Sequence, residues 1–157
     1  MDPHAEELGR RLTEKHALVA VAESCTGGLI AKRITDVAGS SGWFERGLVV
    51  YSNRAKQDLL GLSPDLLTQF GAVSRECAEA MARGLLVMTP AHWAVAVTGI
   101  AGPGGGSPEK PVGLVWLAWE QRGGKPETEA LQLSGSRQEI REAAAAAALA
   151  GLLRRLG

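Results

Sequence analysis

Cysteine is nearly missing from this chain of 157 residues: only Cys25 and Cys77 occur, with no CxxC pair and no histidine-rich neighbourhood. Two isolated thiols cannot build a disulfide framework and lack the spacing of a zinc site, so no structural metal is expected. Net charge is missing as well. Seventeen Lys plus Arg balance seventeen Asp plus Glu, so no basic field advertises a nucleic acid, and any anion has to be bound locally. No apolar run approaches membrane-spanning length. The opening Met1-Asp2-Pro3-His4-Ala5-Glu6-Glu7 has neither the basic flank nor the apolar stretch of a secretory signal, so a cytoplasmic protein without a membrane partner is expected. Histidine is scarce: His4 and His16 fall in or near a first helix, and His92 precedes a strand at its amino end. The usual base for a nucleophilic serine is therefore not on offer.

What is present is an alternation of strands and helices in a length that suits one domain, residues 1–157, burying about 70% of its unfolded surface. Leu8 and Leu12 stand at helical spacing within about Ala5 to His16, and Ala17 to Ala22 reads as a short apolar strand. A helix opening at Ser24 carries Leu29, Ile30 and Ile34. A second strand, Gly47 to Ser52, ends at Asn53, expected to cap a helix with Lys56, Leu59 and Leu60. Ser63-Pro64-Asp65 and Ser74-Arg75-Glu76 each open a further helix, and Trp93 to Thr98 is a buried strand. Val112 to Glu120 and Thr128 to Leu133 flank Gln121-Arg122-Gly123-Gly124-Lys125 as an antiparallel hairpin, so the sheet is expected to be mixed. A last helix spans about Arg137 to Leu156. Its Ala143 to Ala148 run permits close packing on the sheet or on another subunit. The tryptophans, Trp43, Trp93, Trp116 and Trp119, are assigned to the core before an interface.

Three strand ends carry polar or small residues: Ser24, the Tyr51-Ser52-Asn53 turn, and Thr98-Gly99. In open α/β sheets ligands gather at the carboxyl ends of strands, so the three turns are expected to line one crevice. Ser24 is the candidate nucleophile, since a hydroxyl at a strand-to-helix turn lies beside backbone N–H groups with no intrahelical partner. The bland alternative is an ordinary helix cap. Without histidine, a serine needs another base, and a lysine whose pKa is lowered can serve. Lys56, one turn into its helix, is the candidate, with the hydroxyl of Tyr51, the sole tyrosine, placed to hold it or relay a proton. Lys32 is expected to point away from the turn. Cys25 reads as a small buried hydrophobe, and Glu23 as either the partner of a nearby base or a substrate contact. Gly99 to Gly106 is glycine-rich but matches neither GxGxxG nor GxxxxGK[ST], so by itself it is a weak phosphate signal.

Ala22-Glu23-Ser24-Cys25-Thr26-Gly27-Gly28, Tyr51-Ser52-Asn53 with Lys56, Gly71-Ala72-Val73-Ser74, Val97-Thr98-Gly99-Ile100-Ala101-Gly102-Pro103-Gly104-Gly105 and Lys110-Pro111-Val112-Gly113 together resemble the carboxy-terminal domain of the competence-damage-inducible CinA family. The likeness runs through nearly the whole chain in the family's order. It implies a three-layer α/β/α sandwich, a homo-oligomer with a dimer favoured, and a nicotinamide-nucleotide amidase that needs no cofactor. The reaction implied is hydrolysis of the carboxamide of nicotinamide mononucleotide to nicotinic acid mononucleotide and ammonia. By that resemblance Ser24 is the nucleophile, Lys56 the base, and Tyr51 and Thr98 support them. The family's arginine falls on Arg137, with Arg141 the second choice. Longer members carry a further amino-terminal domain resembling molybdopterin-binding proteins, whose activity is not expected of this chain. An acyl-enzyme route needs N–H donors for its oxyanion, expected from Thr26 and Gly27, and a separate phosphate cradle, expected from Arg137 and the Gly102, Gly104 and Gly105 stretch. The competing expectation is a non-catalytic nucleotide-binding module of the same fold.

Overall fold

Five strands and six α-helices are arranged in the computed structural model, which describes residues 1–157. The strands are β1 (Val19–Glu23), β2 (Phe44–Val49), β3 (Trp93–Gly99), β4 (Leu114–Gln121) and β5 (Glu127–Gln132). They form one sheet in the order β2-β1-β3-β4-β5. β1 runs parallel to β2 and to β3, whereas β4 and β5 join antiparallel, so the sheet is mixed as its hairpin required. Helices α1 (Pro3–Glu14), α2 (Leu29–Thr35) and α6 (Arg137–Leu156) cover one face. Helices α3 (Asn53–Leu60), α4 (Pro64–Phe70) and α5 (Arg75–Met88) cover the other. The result is a three-layer α/β/α sandwich.

The period-2 alternation of strands sorts residues by size between the two faces. Val19, Val21, Trp93, Val95, Val97 and Leu117 join the larger core beneath α1, α2 and α6. Ala20, Ala22, Ala94, Ala96 and Ala118 face the other way. A sheet face made of alanine lets α5 press its Ala78, Met81, Ala82 and Leu85 close to the strands. On the opposite side, the alanine-rich stretch of α6 seats Trp119, whose indole Nε1 donates to Ala148 O at 3.0 Å. Trp43, Trp93 and Trp119 are buried in that core, whereas Trp116 is only half-buried.

Several boundaries differ from the sequence reading, each for a local reason. The helix expected to open at Ser24 begins four residues beyond Cys25, at Leu29, with Gly28 as its cap. Gly27 and Gly28 hold φ of 60° and 104°, left-handed values that glycine adopts without a Cβ penalty and that cannot continue a helix. The second strand lies at Phe44–Val49 rather than Gly47 to Ser52, because parallel pairing with β1 ends at Glu23 and Val49. Ser52 rather than Asn53 caps α3, its hydroxyl accepting from Ala55 N at 3.0 Å. The first helix stops at Glu14, and His16 takes a left-handed φ of 52° ahead of β1.

Candidate functional site

β1 and β3 are parallel neighbours whose carboxyl ends finish side by side, Glu23 opposite Val97. Ser24 N–H extends that pairing by donating to Val97 O at 3.0 Å, and Val50 N–H donates to Glu23 O at 2.8 Å. The chain ends after β1, β2 and β3 are thereby held against one another. Between them lies a cavity of about 210 Å³ lined by Ser24, Cys25, Tyr51, Lys56, Ala72, Val73, Thr98, Gly99, Ala101 and Arg137.

Lys56 is the largest polar side chain buried in the molecule, at 1% exposure. Its Nζ lies 3.1 Å from Ser24 Oγ, 3.0 Å from Val50 O and 3.0 Å from Tyr51 O. No carboxylate pairs with it. Burial therefore disfavours the ammonium and lowers the pKa from its ordinary value of 10.5. The thiols of Cys25 and Cys77 do not oppose this as anions, since burial pushes both up to about 11. A neutral amine in this setting spends its two N–H groups on the two carbonyls, which leaves the lone pair for Ser24. The remaining histidine near a strand, His92, is occupied elsewhere: its Nδ1 accepts from Leu18 N at 2.9 Å.

The other sequence candidates divide. Thr98 lines the cavity, and its hydroxyl donates to Ala72 O at 2.7 Å. Tyr51 holds Lys56 through its backbone carbonyl, not its phenol. That phenol is exposed and accepts from Arg137 Nη2 at 3.3 Å. Arg137 also donates to Gly102 O at 2.8 Å, which stretches its guanidinium across the cavity mouth. Gly99 lines the cavity, and Gly102 contributes that carbonyl. Gly104 and Gly105 are exposed and line neither this cavity nor the larger depressions of the surface.

Around Ser24 the sequence reading needs correction. Glu23 pairs with no base and lines neither the Ser24 cavity nor the depressions around it. Its buried carboxylate accepts from Thr26 Oγ1 at 2.6 Å, Ile30 N at 2.9 Å and Ala31 N at 2.9 Å, and so caps α2 from inside the protein. The first amides of that helix are thus spent, and so is the Thr26 hydroxyl. Gly27 N–H is spent too, on Ser24 O at 3.1 Å. Sequence reasoning missed this because the carboxylate reaches amides seven and eight residues ahead, well beyond any local capping pattern. It also missed Lys32 and Gln138. With Arg137, Arg141 and Glu142 they line a second depression of about 650 Å³ between α2 and α6, and Arg137 borders both spaces. Lys32 points there from an exposed ion pair with Asp36.

A hydroxyl and a carbonyl-bound amine meeting at the strand ends of a mixed sheet define an α/β/α-sandwich protein with a serine–lysine pocket. The model of the CinA C-terminal domain matches residues 1–156, and the chain belongs to that family. It is 53% identical over 148 residues to a protein from Enterobacter agglomerans named nicotinamide-nucleotide amidohydrolase PncC, covering 94% of this chain and 90% of that protein. A protein of the same name from Pseudomonas putida is 52% identical over 156 residues, covering 98% and 97%. A CinA-like protein from Akkermansia muciniphila is 55% identical over 142 residues, 90% of this chain but only 34% of that longer protein. Among solved structures, a competence/damage inducible protein from Agrobacterium tumefaciens superposes with a TM-score of 0.90 at 50% identity, covering 96% of this chain and 94% of that one.

Proposed function

We propose that the chain is a nicotinamide-nucleotide amidase that hydrolyses the carboxamide of nicotinamide mononucleotide through an acyl-enzyme on Ser24. The relatives named for that activity match it over nearly their whole length at about half identity. The observation that carries the mechanism is the 3.1 Å contact between Lys56 Nζ and Ser24 Oγ, at an amine with no carboxylate beside it. Lys56, neutral before attack, takes the proton as Ser24 Oγ bonds to the carboxamide carbon. The ammonium then gives that proton to the departing nitrogen, and ammonia leaves. A water, deprotonated by the same amine, attacks the acyl carbon, and the ammonium returns that proton to Ser24 Oγ as it leaves, which frees the acid and restores the neutral amine. Thr98 and Tyr51 hold the walls in register through Ala72 and Arg137. The substrate's phosphate sits in the basic depression, where Arg137 and Lys32 outnumber Glu142 and a guanidinium can grip two phosphate oxygens at once.

The three oxygens around Lys56 Nζ would equally satisfy an ammonium. A pocket held in that state would bind a nucleotide without turning it over. Ammonia release from nicotinamide mononucleotide separates the readings: the amidase releases it and the Ser24→Ala variant does not. Equal release by both would remove Ser24 as nucleophile, and no release by the parent chain would favour the binding module.

A further inference from the structure

The turn that carries Ser24 is gripped from a distance. Arg141, on α6, sends Nε–H to Cys25 O at 3.0 Å and Nη2–H to Thr26 O at 3.2 Å, so one planar guanidinium holds two successive carbonyls. In a planar trans peptide the C=O of one residue and the N–H of the next point in opposite directions. Fixing Cys25 O toward Arg141 therefore turns Thr26 N–H away from it. Fixing Thr26 O does the same to Gly27 N–H, which is found on Ser24 O. Gly27 makes room for the grip, since a Cβ there would stand 2.8 Å from Arg141 Nη2.

Three N–H groups of this turn are left over, two of them on buried residues. Ser24, Gly27 and Leu29 N–H donate to Val97, Ser24 and Thr26 oxygens, but those of Cys25, Thr26 and the half-buried Gly28 donate to no other residue. Thr26 is fully buried and Cys25 is 6% exposed. Buried N–H groups without an acceptor are rare and unfavourable, so a pair of them immediately after a candidate nucleophile calls for an oxyanion. The geometry points to Arg141 as a positioning residue: by clamping Cys25 O it aims Thr26 N–H directly, and by clamping Thr26 O it sends Gly27 N–H to Ser24 O, whose peptide turns Cys25 N–H the other way, so that Cys25 and Thr26 N–H are the donors that receive the oxyanion formed at Ser24. This rests on the amidase reading and gives Arg141 a task other than holding substrate phosphate.

The test is steady-state turnover of nicotinamide mononucleotide by the full chain with Arg141→Ala and Arg141→Lys. A misaimed donor lowers kcat by about 10²-fold, with KM moved no more than about twofold because ground-state binding is untouched. Lys keeps the charge but not the fork, so Arg141→Lys shares most of the loss, and added guanidinium ion restores part of kcat to Arg141→Ala alone. A raised KM at unchanged kcat would make Arg141 a phosphate contact and overturn the inference; so would parental kinetics in both variants. Should Arg141→Ala fail to fold, Arg141→Lys carries the same comparison. If the parent chain releases no ammonia, the amidase reading falls separately. The Thr26 amide nitrogen and proton shifts in Arg141→Lys then decide: displaced resonances support the clamp and unmoved ones refute it.

Discussion

Glu23 and Lys56 are both 1% exposed, lie within one residue of the same turn or its cavity, and are ionisable groups that sequence alone would mark as functional. Their surroundings differ in kind. Every bond to the Glu23 carboxylate comes from a donor of its own segment, Thr26, Ile30 and Ala31, which leaves it nothing to do but hold the helix. Lys56 meets only neutral oxygens, two of them carbonyls and the third the Ser24 hydroxyl, at the wall of a cavity. Burial alone therefore does not make a site. What matters is whether the partners leave a proton free to move.

The contrast is broken most severely by removing the amine. Lys56→Met keeps an unbranched stem and is expected to lower kcat by about 10²–10⁴-fold, the usual worth of a positioned base; ammonia release by a folded variant measures it. Glu23→Gln should act on stability instead. One donor would then face a donor in the cap, costing about 1–3 kcal/mol in urea denaturation, with a loss of kcat far smaller than that of Lys56→Met. If the two variants exchanged these signatures, the assignment of a structural carboxylate and a working amine would be wrong.

A gentler probe is pH. Because burial lowers the Lys56 pKa from 10.5, kcat should rise as pH climbs through that lowered value and the amine loses its proton. Glu23→Gln should leave the rising limb in place. The smallest effect is expected at Gly104, exposed and with open space where a Cβ would stand. Gly104→Ala should leave KM for nicotinamide mononucleotide unaltered, whereas Lys32→Ala should raise it if the phosphate occupies the depression between α2 and α6. The opposite pattern would return the phosphate to the glycine-rich loop.

The convergence of three strand ends was legible in the sequence, because a strand's carboxyl end is marked by where apolar alternation gives way to Ser24, Tyr51-Ser52 and Thr98-Gly99. So were the hairpin that makes the sheet mixed and the α6 boundaries, with Ser136 and Glu139 forming a reciprocal cap. The start of α2 was not. It depends on a buried carboxylate reaching Ile30 and Ala31 and on two left-handed glycines, which the pair Gly27-Gly28 signals only in retrospect. The role of Tyr51 was half legible: its position was marked, but backbone carbonyls carry no side-chain signature, and it is the carbonyl that holds Lys56. Arg141 came only from the family resemblance, as the second choice for its arginine, while its grip on residues more than a hundred positions away is visible only once α6 is packed beside the turn.

The central claim is that Lys56 is a neutral amine when Ser24 attacks. Its titration can be followed directly by the ¹³Cε resonance of selectively labelled lysine, assigned with Lys56→Met, alongside the pH dependence of kcat. The account predicts a Lys56 transition below 10.5 that coincides with the rising limb of activity. A transition at or above 10.5, or a limb that ignores it, would contradict the mechanism.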